Sequence, residues 1–84
     1  MSILDDAIAQ LQTGLDNLDD AKTAVAGADT ELDNAQGNYA AIGDTDRAER
    51  VQAARDAVDK AVGHIGTAVD AVEEALQHAR ELAG

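Results

Sequence analysis

Apolar residues recur every seven positions along this 84-residue chain and form two ladders separated by one break. The rungs of the first ladder are Leu4, Leu11, Leu18, Val25, Leu32 and Tyr39, and those of the second are Val51, Val58, Ile65, Val72 and Ala79. A seven-residue repeat keeps side chains on one face of an α-helix, whereas a half-buried strand alternates every two residues. Proline is absent, and the abundant Ala, Leu, Gln and Glu favour helix. The sequence therefore predicts an all-α fold.

Further apolar residues lie beside the rungs and turn each ladder into a seam. From Leu4 to Leu18 the apolar positions step by four and three, which is the spacing of a coiled-coil contact line. We expect the association seam to consist of fifteen residues. They are Leu4, Ile8, Leu11, Leu15, Leu18, Val25, Leu32, Tyr39, Val51, Val58, Val62, Ile65, Val69, Val72 and Leu76.

The clearest break in the helical pattern lies at the middle of the chain. Gly43 can end the first helix in a left-handed conformation, and Asp44, Thr45 or Asp46 can cap the second. Residues 46–49 also fit the capping-box pattern, as does Ser2 with Asp5 at the start of the chain. We predict one domain, residues 1–84, with a helix at about 3–42, a turn at 43–46 and a helix at about 46–82. Equal arms of roughly 60 Å and a short connection predict an antiparallel hairpin.

Glycines inside both arms raise the question of helix breaks. Gly27 could end a helix and Thr30 could cap another, but the first ladder keeps its phase across this segment, so we favour one continuous helix. The second arm could bend at Gly63 or Gly66. Folding the chain at its midpoint brings Asp29 close to Arg55. The terminal half (residues 4–18 and 69–82) is thus expected to be apolar, and the loop half (around Asp29, Gln36 and Arg55) more polar.

The apolar stripe is wider than a two-stranded seam needs. Small residues flank both ladders, so helix axes could approach closely on that side. In the first arm they are Ala7, Gly14, Ala21, Ala28 and Ala35, followed by Ile42, and in the second they are Ala54, Ala61, Ala68 and Ala75. A lone hairpin would leave much of this stripe in water. We therefore expect a homo-oligomer, most simply a dimer of hairpins that forms a four-helix bundle.

Composition limits the partners and the chemistry. The formal net charge of −11 repels phosphates, so neither nucleic acid nor an anionic membrane is an expected partner. Nineteen of the apolar residues are alanines, Tyr39 is the single aromatic residue and cysteine is absent. Such a chain lacks the bulky side chains that usually line a deep ligand pocket. The bias toward Asp and Ala over Lys is typical of high-GC bacterial or salt-adapted proteomes.

No set of residues has the spacing of a catalytic, cofactor or metal site. His64 and His78 are fourteen positions apart on one arm and cannot share a metal ion, and Glu74 with His78 offers only two ligands. The Asp-rich segments do not follow the calcium-loop pattern. We therefore predict no catalytic residues, no cofactor and no metal ligands, and we do not expect an enzyme.

The N-terminal residues lack the basic and apolar regions of a signal peptide. A cytoplasmic location is the default expectation, with signal-peptide-independent export as the alternative. The outline resembles the small WxG-type secretion substrates of Gram-positive bacteria, which are acidic, dimerising hairpins. Here residues 41–43, Ala-Ile-Gly, occupy the Trp-x-Gly turn without the tryptophan, and no Tyr-based C-terminal export motif is present. The chain also resembles alanine-rich helical proteins of actinobacteria.

These features favour a non-enzymatic, self-associating helical protein that acts as a structural, scaffold or accessory interaction module. One alternative is an acidic binder that neutralises a basic protein, in the manner of an antitoxin, immunity protein or nucleic-acid mimic. Another, implied by the resemblance, is an exported helical hairpin.

Overall fold

The computed structural model describes residues 2–84, and these form two α-helices joined by a short turn. Helix α1 spans Ile3–Ala41 and helix α2 spans Thr45–Ala83, each with 39 residues. The helices pack against each other lengthwise, so the molecule measures 61 × 17 × 13 Å. The predicted all-α antiparallel hairpin is confirmed. Neither helix, within residues 2–84, has a stretch long and apolar enough to cross a membrane.

Helix α1 begins with the capping box that the sequence predicts. The Ser2 hydroxyl accepts a hydrogen bond from the Asp5 backbone N–H at 3.1 Å, and the Asp5 carboxylate accepts one from the Ser2 N–H at 3.5 Å. Asp5 and Asp6 place negative charge in the first turn, where the helix dipole is positive. Two backbone N–H groups that the helix cannot satisfy are therefore bonded locally.

The turn between the helices depends on Gly43, whose φ of 76° lies in the left-handed region. The Gly43 N–H donates to the Ala40 carbonyl at 3.1 Å, and the Asp44 N–H donates to the Tyr39 carbonyl at 2.9 Å. This pair of bonds is a Schellman motif, which satisfies carbonyls at the end of α1. Glycine adopts such a φ without the steric penalty of a Cβ atom.

Asp44 is the residue that caps α2, since its carboxylate accepts a hydrogen bond from the Arg47 N–H at 3.1 Å. The capping box expected at residues 46–49 does not form. Asp46 already lies inside the first turn of α2, where its carboxylate pairs with Arg50 at 3.3 Å. The helix starts two residues earlier than that pattern implies, because Asp44 rather than Asp46 is the N-cap and its carboxylate accepts from the Arg47 N–H directly from the turn.

Neither arm breaks at its internal glycines. Helix α1 runs through Gly27, and α2 runs through Gly63 and Gly66. The prediction of one continuous helix across Gly27, which was based on the unbroken phase of the first ladder, is thus confirmed. Tertiary contact along the whole length outweighs the roughly 1 kcal/mol that each helical glycine costs relative to alanine.

Candidate association surface

All fifteen residues of the predicted seam are at least half-buried in the hairpin. Leu76 is the single fully buried residue in the described chain, at 3% exposure. The remaining fourteen keep part of their apolar surface in water. Three large apolar residues outside the seam, Ile3, Ile42 and Leu82, are exposed at 89%, 75% and 78%.

Hydrogen bonds between the helices identify one long side of the hairpin as polar. The Arg80 Nη2 donates to the Gln12 side chain at 2.9 Å in the terminal half, and the Gln36 Nε2 donates to Gln52 at 2.9 Å in the loop half. Gln12, Gln52 and Arg80 each follow a ladder rung by one position. We call this side the polar face. Its rows contain Asp5, Gln12, Asp19, Ala26, Asp33 and Ala40 on α1, and Gln52, Asp59, Gly66, Glu73 and Arg80 on α2.

The opposite long side carries the residues that lie three positions after each rung. An α-helix has about 3.6 residues per turn, so these residues and those of the polar face lie on opposite sides of the ladder. We call this side the ladder face. Its rows contain Ala7, Gly14, Ala21, Ala28 and Ala35 on α1, continued by Ile42 at the C-cap of that helix, and Ala54, Ala61, Ala68, Ala75 and Leu82 on α2. Every one of these residues is apolar or glycine.

Arg55 organises the polar contacts of the loop half. Its Nε donates to the Asp29 carboxylate at 3.1 Å, and its Nη1 donates to Asp33 and to the Gln36 side-chain oxygen at 2.9 Å each. The hydrogen bond to Asp29 is the main cause that raises the pKa of Arg55 above its ordinary value. The pairing of Arg55 with Asp29 expected from the folded sequence is therefore confirmed.

Sequence reasoning missed the other partners of Arg55. Asp33 lies one helical turn after Asp29, so a periodicity of four among acids near a seam arginine is the signal that could have found it. Gln36 also donates to the Ala48 carbonyl at 3.4 Å, and Gln52 donates to Asp56 at 2.9 Å. These amide contacts depend on side-chain rotamers and therefore have no simple sequence signature.

The terminal half contains a shallow, open groove of about 590 Å³ on the polar face. Leu15 and Leu76 belong to its apolar lining, and its polar lining is Gln12, Glu73, Gln77, Arg80 and Glu81. An open groove of mixed polarity does not enclose a small molecule in the way that ligand sites usually do.

The histidines show no metal-site geometry. The His78 Nε2 lies 3.8 Å from Glu74, the His78 Nδ1 lies 3.9 Å from Glu81, and all three side chains are largely exposed. His64 is exposed as well, as is Lys22 at its seam position. Among residues 2–84, no three His, Asp or Glu side chains are grouped so that they could hold a metal ion.

Comparison of the chain with protein-family models, with curated proteins and with solved structures gave no match.

Proposed function

We propose that this protein is a non-enzymatic helical module that works by association, first of all with copies of itself, in a structural, scaffold or accessory role. The incomplete burial of the seam supports this proposal. Fourteen of its fifteen residues remain partly exposed in the single hairpin. Burying apolar surface contributes about 25 cal/mol per Å², so covering the seam further is favourable.

The size of the hairpin supports the same proposal. A chain of 84 residues folded into two helices offers a small core, and small domains bury a low fraction of their surface. Two hairpins packed side by side would give each helix a second neighbour, as in a four-helix bundle. The product would be a rod as long as the single hairpin, 61 Å, and its outer surface would be acidic.

Sedimentation equilibrium across the micromolar range tests the proposal directly. We expect the wild-type chain to form a discrete oligomer. Leu11→Asp should abolish both the oligomer and most of the helical circular dichroism signal, because it places a carboxylate in the seam. Thr13→Asp is a matched control, since Thr13 is exposed and the substitution changes the net charge equally. A wild-type chain that stays a fully helical monomer, or a Leu11→Asp chain that still assembles, would refute the proposal.

The charge distribution favours a second candidate, an acidic binder of a basic protein. Helix α1 carries eight acidic residues and one basic residue, Lys22. In α2, where most bases lie, Arg47, Arg50 and Arg55 pair with aspartates of the same chain. Acids therefore outnumber bases on α1 by eight to one, and all of these acids except Asp29 are exposed to solvent.

The dependence of binding on salt concentration distinguishes self-association from binding to a basic protein. Binding of a basic partner should weaken steeply as ionic strength rises, because exposed charges are screened. Self-association of chains with a net charge of −11 should strengthen instead, because screening reduces their repulsion. Sedimentation of the wild-type chain at low and high salt, together with pull-downs at both salt concentrations, distinguishes these responses.

A further inference from the structure

The two long sides of the hairpin differ in how continuous their apolar surface is. The polar face has acidic residues in its rows. In the loop half, the seam beside this face is interrupted by the polar residues Asp29, Gln36 and Arg55. Arg55 bonds to Asp33 of the polar face, and Gln36 bonds to Gln52 of the same face. The ladder face is not interrupted. Its rows contain none of the seventeen acidic residues, and the ladders beside it are apolar from one end of the molecule to the other.

The exposed large apolar residues lie on the same side. Ile42 and Leu82 belong to the rows of the ladder face, and Ile3 precedes the rung Leu4 by one position, which points it to that side of α1. Ile42 lies at the turn end, whereas Ile3 and Leu82 lie at the end with both chain termini. The ladder face therefore carries large apolar groups at both ends and small residues between them.

We infer that the ladder face is the surface on which a second copy of this chain docks, an inference that rests on the self-association proposed above. The molecule is 61 Å long and 17 Å wide, so one whole long side offers at most roughly 1,000 Å², against the about 800 Å² per partner that a standard stable interface buries. Alanine and glycine rows let helix axes approach closely, since interaxial distance depends on the side chains at the contact.

The distribution of acidic residues between the two faces favours a second copy of this chain, rather than a basic protein, as the partner that docks on the ladder face. Two chains that each carry −11 can meet on the ladder face without bringing carboxylates of its rows together. Contact through the polar face would instead bring its acidic residues, among them Asp5, Asp19, Asp59 and Glu73, close to the acidic residues of the other copy. Like charges brought together at an interface repel and disfavour that contact. A basic partner would be attracted to the acidic residues of the polar face, so it is not the expected occupant of the ladder face.

Paired alanine substitutions test the assignment. Ala28→Glu with Ala54→Glu adds two carboxylates to the ladder face, whereas Ala26→Glu with Ala53→Glu adds the same charge to the same helices outside it. All four alanines are exposed in the single hairpin, and glutamate favours helix, so both proteins should keep wild-type helicity. We expect the ladder-face pair to raise the dimer Kd by at least about tenfold, because the added carboxylates would be desolvated. The control pair should change it much less.

The outcomes separate this inference from the proposed function. A monomeric wild-type chain refutes both. A wild-type dimer whose Kd responds equally to the two pairs, or more to the control pair, refutes the ladder face as the interface and leaves self-association in place. If the charged ladder-face protein loses helicity, the neutral Ala28→Gln/Ala54→Gln protein is compared with Ala26→Gln/Ala53→Gln, and the same criteria apply.

Discussion

In the terminal half of the hairpin, every half-buried residue is apolar or glycine, and Leu76 is fully buried. In the loop half, Asp29, Gln36 and Arg55 are half-buried within the same seven-residue repeat and bond to one another. Apolar contact is non-directional and stabilises many alignments of two helices. Hydrogen bonds to a planar guanidinium require one geometry. One seven-residue repeat thus contains apolar packing in the terminal half and a polar cluster of specific geometry in the loop half.

The largest effect that would test this comparison is truncation of Leu76. Leu76→Ala should lower the free energy of unfolding by about 2–3 kcal/mol, because it removes the best-buried side chain. Leu32→Ala in the loop half is the matched substitution and should cost about half as much, since Leu32 is only half-buried. Chemical denaturation followed by circular dichroism, at one protein concentration, measures both. Equal losses would show that the two halves do not differ in apolar packing.

Removal of the Arg55 contacts should have a smaller effect on stability. Arg55→Met keeps an unbranched apolar side chain but leaves Asp29 and Asp33 without their hydrogen-bond donor. We expect a lower thermal midpoint than wild type, with a decrease smaller than that of Leu76→Ala. Arg55→Lys should recover only part of it, because an ammonium group cannot reproduce the planar arrangement of donors. Full recovery by lysine would show that charge alone, without geometry, accounts for the contact.

Glycine substitutions give the smallest effects, and they should have opposite signs. Gly43→Ala should destabilise the turn by about 1–2 kcal/mol, because alanine is strained at a φ of 76°. Gly37→Ala, in α1 of the loop half, should stabilise by up to about 1 kcal/mol, because the added methyl group meets no atom within 4 Å. Thermal unfolding of the two variants measures the difference. A destabilising Gly37→Ala would indicate that another chain packs closely at that position.

Local patterns made much of the fold predictable. The ladder phase indicated an unbroken α1 across Gly27, and Ser2 with Asp5 indicated the first cap, because both depend on residues within a few turns of one helix. Equal arms and a central glycine indicated the antiparallel hairpin. The Asp29–Arg55 pair followed from folding the chain at its midpoint, and the structure confirms it at 3.1 Å.

Other features depended on the relative placement of side chains across the hairpin. The conformation of the turn decides that Asp44, rather than Asp46, caps α2. The rotamer of Arg55 decides that its side chain also contacts Asp33 and Gln36. The fifteen residues of the predicted seam are all at least half-buried, but sequence alone did not show that Leu76 would be the one fully buried among them.

Helix periodicity and capping act over short distances along the chain, so the two helices and the hairpin were predictable from the sequence alone. The difference between the two long sides of the molecule arises only when the helices pack together. When two helices pack antiparallel, their polar rows meet on one side and their alanine rows on the other, and no single helix specifies that pairing. The polar face and the ladder face therefore exist only in the folded hairpin, although every residue that makes them is visible in the sequence.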